Sequence, residues 1–597
     1  MALSGEGTWC PALVSDKTKT SSPCGSRGQV VTDVREIIER IQARDYRGLH
    51  GVRPSVPEFF NWAADVFEPL HVTGRANGTA LLFLDDAGQP SRFTFAELAA
   101  RGNRLLNLLR ERGLRRGDTV FVMLPVVPEV WFSYYAAIKG GLVLVPAATI
   151  LTEKDIQYRF SQLQPAAVLA DPASAEKIDA AERALGKSAT VKIVVGGARP
   201  GWLSTEALSA YGEKAEAERT RSSDTLLIFF TSGTTGLPKM VVHTHASYPI
   251  GHLATAAWIG VRAGDLHYNI SQPGWAKFAW SSFFAPLTVG ATVFAYGYAG
   301  RFLAAKHLEA IQDHKVTTFC SAPTVWRMFV LEDLSKYRFS LREVVSAGEP
   351  LNPEVIVAWR LATGLTIRDG YGQTESTLMV GNLPDEDVKL GSMGRPSFLY
   401  DVFLADEHGQ EVSPNEEGDI AVHLDPRPIG LFAKYVGPDA DRYAQVFANN
   451  LYRTGDRAYR DAEGRLWFVG RSDDVIKASD YRIGPFEVES ALLEHPAVAE
   501  AAVVGSPHAI RGNVVKAFVV LRPGRAPSKA LADDLFQFTR ANLTPYKAPK
   551  IIEFVSELPK TISGKIRRVE LRSKEVEARS GPSRKPEEYF FEEVRKA

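Results

Sequence analysis

The chain has 597 residues, with 70 Lys+Arg against 70 Asp+Glu and a formal charge of zero. That length exceeds what one hydrophobic core fills, about 250–300 residues, so two or more domains are expected. Neutrality argues against a nucleic-acid binder, which needs a basic excess to displace counterions, and 45% hydrophobic residues argue against a chain dominated by disorder.

Residues 1–30 are rich in Ser, Thr and Gly and hold a single arginine, Arg27. They have the pattern of neither a signal nor a transit peptide and read as a flexible tail, with the cytoplasm as the expected compartment. Three cysteines, Cys10, Cys24 and Cys320, form no CxxC pair, so a cysteine zinc site is not expected. Cys320, in the apolar run VTTFCSAP, reads as a small buried hydrophobe. Ordered structure is expected from about residue 31. There VTDVREIIERIQARDY puts Val34, Ile37, Ile38 and Ile41 on one helical stripe. In TFAELAARGNRLLNLLRERG, Thr94 and Glu97 make a capping box. DTVFVMLP (118–125) reads as a buried strand, and strand and helix patterns alternate to about residue 390, which predicts layered α/β structure around parallel sheets. No apolar stretch reaches the roughly 18–20 residues of a membrane span.

After residue 396 short strands and turns predict a small β-rich subdomain to about 470. Beyond 470, Pro485 opens a helix, AEAAVVGSP and VVKAFVVL are strands, and a helix and the strand KIIEFV follow: a small α+β module. The last 25 or so residues are charge-dense and read as loosely attached. The expected division is a tail (1–30), a large domain (31–470) and a small one (471–597). Between Arg511 and Arg568 there are twelve basic and four acidic residues, which suits the small module to an anionic small-molecule partner.

Four stretches could carry chemistry. TSGTTGLPK (231–239) follows an apolar strand. Its glycines allow close backbone approach, and Thr231, Ser232, Thr234, Thr235 and Lys239, with Gly233 and Gly236, could hold phosphate oxygens; the spacing is not that of a Walker A loop. In DGYGQTES (369–376), Tyr371 could stack on a flat ring, Thr374 bond a phosphate, and Glu375 hold Mg²⁺. In YRTGD, Asp456 could accept both hydroxyls of a ribose diol. In LPKTISGKIRR, Lys565 follows a glycine and reads as a flexible cation in a loop. Taken singly, each could be an ordinary polar turn or solvated loop.

In this order, with GRSDD (470–474), the motifs resemble the adenylate-forming superfamily of acyl-CoA synthetases, firefly-type luciferases and nonribosomal adenylation domains. The resemblance covers about residues 50–570. QPGWAKFAW and DYRIGPFEVESALLEHPAV are similar to the medium-chain and branched-chain acyl-CoA synthetases. It implies a large layered α/β domain with a β-barrel-like subdomain and a small mobile α+β domain. The implied activity is AMP-forming: a carboxylate attacks ATP to give acyl-AMP and pyrophosphate, then CoA displaces AMP. ATP, Mg²⁺ and coenzyme A are the implied cofactors and a small carboxylic acid the substrate.

Carried over by motif, residues 231–239 would clasp the outer phosphates. Gly348, Glu349, Pro350, Asp369, Gly370 and Tyr371 would cradle adenine, with Gly372 and Gln373 completing the loop. Thr374 would meet the α-phosphate or the acyl carboxylate, and Glu375 the metal. Asp456, helped by Arg471, would take the ribose, and Lys565 would neutralise charge during adenylation. Asp473 matches the hinge about which the small domain rotates. Ser479, Asp480, Tyr481, Arg482 and Arg511 would then serve CoA. Many relatives carry glycine where this chain has Asp480, so either the tunnel differs locally or CoA is a poorer acceptor, and the first is the expectation favoured. Trp275 would form the acyl-pocket wall, and Lys277 is either at its mouth or a surface lysine. Acetyl-specific relatives carry tryptophan at the position of Gly372, so glycine implies a roomier pocket for medium-chain, branched or small aromatic acids. The alternative is an acyl-AMP ligase loading a separate carrier protein, followed by a non-catalytic binding protein on the same fold. The sequence leaves the acid and the oligomer open, a homodimer included.

Overall fold

The computed structural model describes residues 30–232, 238–298, 300–478, 481–508, 511–560, 565–579 and 586–591. The expected tail, the loop centre Gly233, Thr234, Thr235 and Gly236, and Ser479 and Asp480 lie outside the described residues. The first helix is Val34–Gln42, begun by Asp33, whose carboxylate accepts from Arg35 N–H at 2.8 Å; Val34, Ile37, Ile38 and Ile41 are all buried, as the stripe predicts. The helix Phe95–Glu111 starts on the expected capping box of Thr94 and Glu97.

Two large sheets form the body of the large domain. The first has eight strands: Lys434–Val436, Pro238–Thr244, Thr225–Ser232, Val143–Pro146, Thr119–Met123, Ala167–Ala170, Val191–Val194 and Leu203–Ser204, in that order. The second has nine, its parallel centre running Arg368–Gly372, Glu343–Ala347, Thr318–Ser321, Leu266–Asn269, Thr292–Tyr296 and Thr79–Leu84. Parallel strands are covered on both faces, so they read as apolar runs. Cys320 is fully buried on one of them. Ser232, Gly348 and Gln373 lie at the carboxyl ends of the strands Thr225–Ser232, Glu343–Ala347 and Arg368–Gly372, where open α/β sheets bind ligands.

An antiparallel five-stranded sheet follows, Val402–Ala405, Glu417–His423, Leu451–Arg460 and Phe447–Ala448 in order, with Leu466–Arg471 paired to the long strand. The C-terminal part holds the hairpin Ile476–Ala478 and Tyr481–Ile483. Beside it lies a four-stranded sheet of Val498–His508, Gly512–Leu521, Ile551–Phe554 and Glu588–Phe590. Among the described residues no helix is long and apolar enough to cross a membrane.

One expectation fails at the C-terminal end. Residues 588–590 are not loosely attached: they pair with Ile551–Phe554, and Glu575 and Glu588 are buried. Lys516, fully buried, accounts for it. Its ammonium lies 2.6 Å from Glu553, 2.6 Å from Glu575 and 2.5 Å from Glu588, and Arg579 pairs with Glu575 and Glu588. Charge density in sequence thus became internal pairing. Replacing Lys516 by Met leaves these carboxylates short of a cation, and we expect a loss of about 3–5 kcal/mol, measured by urea unfolding.

Candidate active site

The two flanks of the 231–239 loop are a strand pair, with Thr231 opposite Lys239. The Lys239 ammonium forms an ion pair with Glu375 Oε1, and the Tyr435 hydroxyl donates to the same oxygen at 2.9 Å. Burial alone would raise the Glu375 carboxyl, but the Lys239 charge and these hydrogen bonds outweigh it and hold the group below its ordinary range. An ionised, buried carboxylate thus lies beside the lysine that ends the 231–239 motif. That donor set suits Mg²⁺, which takes one or two carboxylates and completes its shell with phosphate and water.

The neighbouring Thr374 is set by a residue the motifs did not single out. His243 Nε2–H donates to the Thr374 carbonyl at 2.8 Å, and its Nδ1 lies 3.2 Å from the Ser247 hydroxyl. Burial drives this histidine down to about 4, so it is neutral and its tautomer is fixed by the carbonyl. Tyr435 was missed too. It sits 60 residues beyond Glu375 and arrives because the strand Lys434–Val436 pairs with Pro238–Thr244, Val241 opposite Tyr435. In the sequence His243 is one residue of a buried strand and Tyr435 one tyrosine among 19; no spacing marks either.

Asp456 is buried on the strand Leu451–Arg460, opposite Arg471 on Leu466–Arg471. Its Oδ2 accepts from the Tyr371 hydroxyl at 2.6 Å and from Gln373 Nε2 at 2.5 Å, and Gln373 is steadied by the Tyr452 hydroxyl at 2.8 Å. Burial raises its pKa despite these bonds and Arg471. The expected ring-stacking tyrosine is therefore also the tether of the diol-binding candidate.

Asp369 behaves differently from a ligand-binding carboxylate. It is buried, and its oxygens accept from Leu351 N–H at 3.4 Å and Gly370 N–H at 3.0 Å. The side chain thus holds the segment after Gly348, Glu349 and Pro350 against its strand, and its own oxygens are engaged by backbone N–H groups. Gly348 has φ +108°, which favours glycine, and Glu349 lies 3.5 Å from Arg327. Burial pushes Asp369 up to about 7. Unfolded, it would ionise near 3.8, so the folded state keeps its proton longer. Stability from this group is full below pH 4 and falls as pH rises to 7, by about 1.4 kcal/mol per pH unit. The unfolding free energy of Asp369→Asn, compared with the parent from pH 4 to 8, should lack this slope.

A cleft of about 920 Å³ opens beside these residues. Trp275, Lys277, Gly348, Glu349, Gly372, Gln373, Thr374 and Lys565 all line it. Lys277 is no surface lysine: its ammonium donates to the Ala347 carbonyl, and burial, with the Lys565 charge nearby, lowers its pKa. Gly372 lines the cleft, but it also has a backbone reason to be glycine. A Cβ there would stand 2.4 Å from the Thr377 carbonyl oxygen, so the missing side chain does more than make room.

The cleft does not bring in every candidate. Tyr481 stacks on Tyr546 with ring centroids 4.1 Å apart, Arg482 is exposed on its hairpin, and Arg511 is exposed in the turn before Gly512–Leu521. None of the three lines the cleft. Arg471 Nε donates to Asp473 at 3.0 Å, just past the last strand of the large domain.

The family model described as AMP-binding enzyme matches residues 71–435, and that of the AMP-binding enzyme C-terminal domain matches 487–565. The chain is 52% identical over 535 residues to 4-hydroxybutyrate–CoA ligase 1 of Metallosphaera sedula, covering 89% of this chain and 93% of that protein. It is 44% identical over 531 residues to the mitochondrial acyl-coenzyme A synthetase ACSM3 of Mus musculus, covering 87% and 91%. Among solved structures, the anthranilate CoA ligase AuaEII in complex with anthranoyl-AMP superposes with a TM-score of 0.81 at 31% identity, covering 88% of this chain and 99% of that one. The benzoate CoA ligase of Burkholderia xenovorans LB400 gives 0.76 at 30%, covering 86% and 100%.

Proposed function

Because this chain belongs to the AMP-binding enzymes, we propose that its cleft holds a carboxylic acid against ATP and that the site residues divide the work as follows. The enzyme is an AMP-forming acid–CoA ligase: it makes an acyl-AMP from an acid and ATP, and then the CoA thioester. Neither step needs a protein nucleophile; both are run by positioning and charge neutralisation. Lys239 and the 231–239 backbone take the outer phosphates. Glu375 holds Mg²⁺, which neutralises phosphate charge when bound. Thr374, its carbonyl fixed by His243, points its hydroxyl at the reacting phosphate. Asp456, tethered by Tyr371 and Gln373, takes the ribose diol. Lys565 supplies the mobile cation.

The observation that carries this reading is the linkage of three separate motifs by the pairs Lys239–Glu375 and Gln373–Asp456, with Gln373, Thr374 and Lys565 lining one cleft. The small domain, from about residue 471, is the part that rotates, exchanging Lys565 for the loop of Ser479, Asp480, Tyr481 and Arg482. CoA, with Arg511 at its phosphates, is the acceptor we favour over a carrier protein.

The acid is medium-chain, branched or small aromatic. The relatives' names span a short hydroxylated acid and ring acids, so chain length and polarity need direct measurement. An ATP–pyrophosphate exchange screen, repeated as thioester formation with CoA, tests both half-reactions. Butyrate to octanoate or benzoate should exceed acetate in kcat/KM by tenfold or more, since each buried CH₂ contributes about 0.8 kcal/mol. Acetate as the best substrate would overturn the open-pocket reading of Gly372, and exchange without any thioester would favour the carrier-protein alternative.

A further inference from the structure

A chain of polar side chains runs from the cleft into the small domain. Glu349 lines the cleft, and its carboxylate lies 3.5 Å from the Arg327 guanidinium. Arg327 Nη1 donates to Asn352 Oδ1 at 3.3 Å, and Asn352 Nδ2 donates to the Ser490 hydroxyl oxygen at 3.0 Å. The last bond joins two domains: Asn352 falls in the stretch matched by the AMP-binding enzyme model, 71–435, and Ser490 in the C-terminal match, 487–565. A guanidinium only donates, so it must meet the amide oxygen, and this turns the Asn352 NH₂ toward Ser490. Asn352 is 2% exposed and stands at the start of the helix Pro353–Thr363 with the extended backbone of an N-cap. An asparagine there ordinarily bonds the first N–H groups of its own helix, yet this side chain makes no capping bond. It gives its oxygen to Arg327 and its amide to the helix Pro485–Leu493 of the other domain. Arg568, which pairs with Glu489 at 2.6 Å, reports the same proximity. Against burial, the carboxylates of Glu489, Asp474 and Glu349 hold its guanidinium above the ordinary range, so Glu349 is felt from the small domain too.

We propose that the Asn352–Ser490 bond is a latch that holds the small domain in the adenylation orientation, anchored through Arg327 to the cleft at Glu349. Asn352 and Ser490 are then positioning residues for the first half-reaction and touch no substrate. The inference rests on the proposed function, in which the small domain rotates between the two half-reactions. A bond between a short amide and a hydroxyl tolerates little displacement, so it exists in one orientation and is broken by rotation. The orientation that has it is the one in which Lys565 lines the cleft. A ligand can shift such an equilibrium only by what it contributes to one state over the other, and the same limit applies to a latch. Losing it should therefore lower the share of molecules with Lys565 in place and leave the rotated state untouched.

The test compares Ser490→Ala, Ser490→Thr and Asn352→Leu with the parent in the two half-reactions measured apart: ATP–pyrophosphate exchange with the best acid, and thioester formation from supplied acyl-AMP and CoA. Ser490→Ala should lower exchange about three- to tenfold, the net strength of one neutral hydrogen bond expressed as a rate, and leave thioester formation at or above the parent level. Ser490→Thr keeps the hydroxyl and should stay close to the parent in both. Adding Ser490→Ala to Asn352→Leu should lower exchange no further, because two residues that act through one bond are not additive. Exchange unchanged in Ser490→Ala, or equal losses in both half-reactions, would overturn the latch and leave the acid–CoA ligase intact. A parent protein active in neither half-reaction would overturn the ligase reading and the latch with it. Should Ser490→Ala fail to fold, Asn352→Leu decides by the same comparison.

Discussion

Lys565→Ala should abolish most adenylation while sparing thioester formation. Lys565 lines the cleft together with Thr374 and Gln373, and its charge is felt at both Asp456 and Lys277. A cation there meets negative charge as it shifts from carboxylate to phosphate, in a partly water-excluded site where it is worth more than in water. Removing one such group costs about 10²–10³-fold. The loss should fall on ATP–pyrophosphate exchange. Given synthetic acyl-AMP and CoA, the variant should form thioester within a few-fold of the parent, because the proposed rotation takes Lys565 out of the site before that step. Lys565→Arg keeps the charge but not the compact ammonium and should recover only part of the rate. Equal losses in both half-reactions would mean that Lys565 supports the fold, not one step.

Local features were legible before the fold was known. The Thr94 and Glu97 box lies within one helical turn, and the stripe of Val34, Ile37, Ile38 and Ile41 within three. The motifs at 231–239, 369–376 and 452–456 declared themselves because glycines stand beside hydroxyl and acidic residues in a few positions. What stayed illegible is set by long-range register. Tyr435 reaches Glu375 through an edge strand, His243 reaches Thr374 across 131 residues, and Lys277 was equally consistent with surface and cleft until its ammonium was found on the Ala347 carbonyl. Asp369 misled in the opposite direction. It stood in a motif, yet its carboxyl serves two backbone N–H groups. The C-terminal stretch misled by composition, since Glu575 and Glu588 look solvated until Lys516, some 60–70 residues earlier, is brought beneath them. In each case the chain supplied the chemistry, and tertiary pairing decided whether it faced a ligand, a backbone or another charge.

Asp473→Pro should leave pyrophosphate release in a single turnover near the parent level and remove thioester formation. The bonds around this residue change sides within three positions. Ser472 N–H donates to the Gly455 carbonyl at 2.9 Å and its hydroxyl lies 3.2 Å from Asp419, both on the antiparallel sheet of the large domain. Asp474 pairs instead with Arg572 and, at 3.9 Å, with Arg568, on the helix Arg568–Arg579 of the small domain. Asp473 lies between these anchors, its carboxylate accepting a local bond from Arg471. A rotation of the small domain must therefore be absorbed by the dihedrals of 473 and its immediate neighbours. Proline locks φ near −65° and restricts the residue before it, so it holds one orientation. The orientation described here has Lys565 at the cleft and Tyr481, Arg482 and Arg511 away from it, which fits the first half-reaction alone. A locked hinge should thus give one burst of acyl-AMP and then stall, with thioester turnover down at least about a hundredfold, as gating mutants change kcat without touching the chemistry. Asp473→Ala, which loses the carboxylate but keeps free dihedrals, should retain both steps. If the proline variant turns over at the parent rate, the pivot lies elsewhere; if the alanine variant stalls as well, the Asp473 carboxylate itself, not rotation, is what the second step requires.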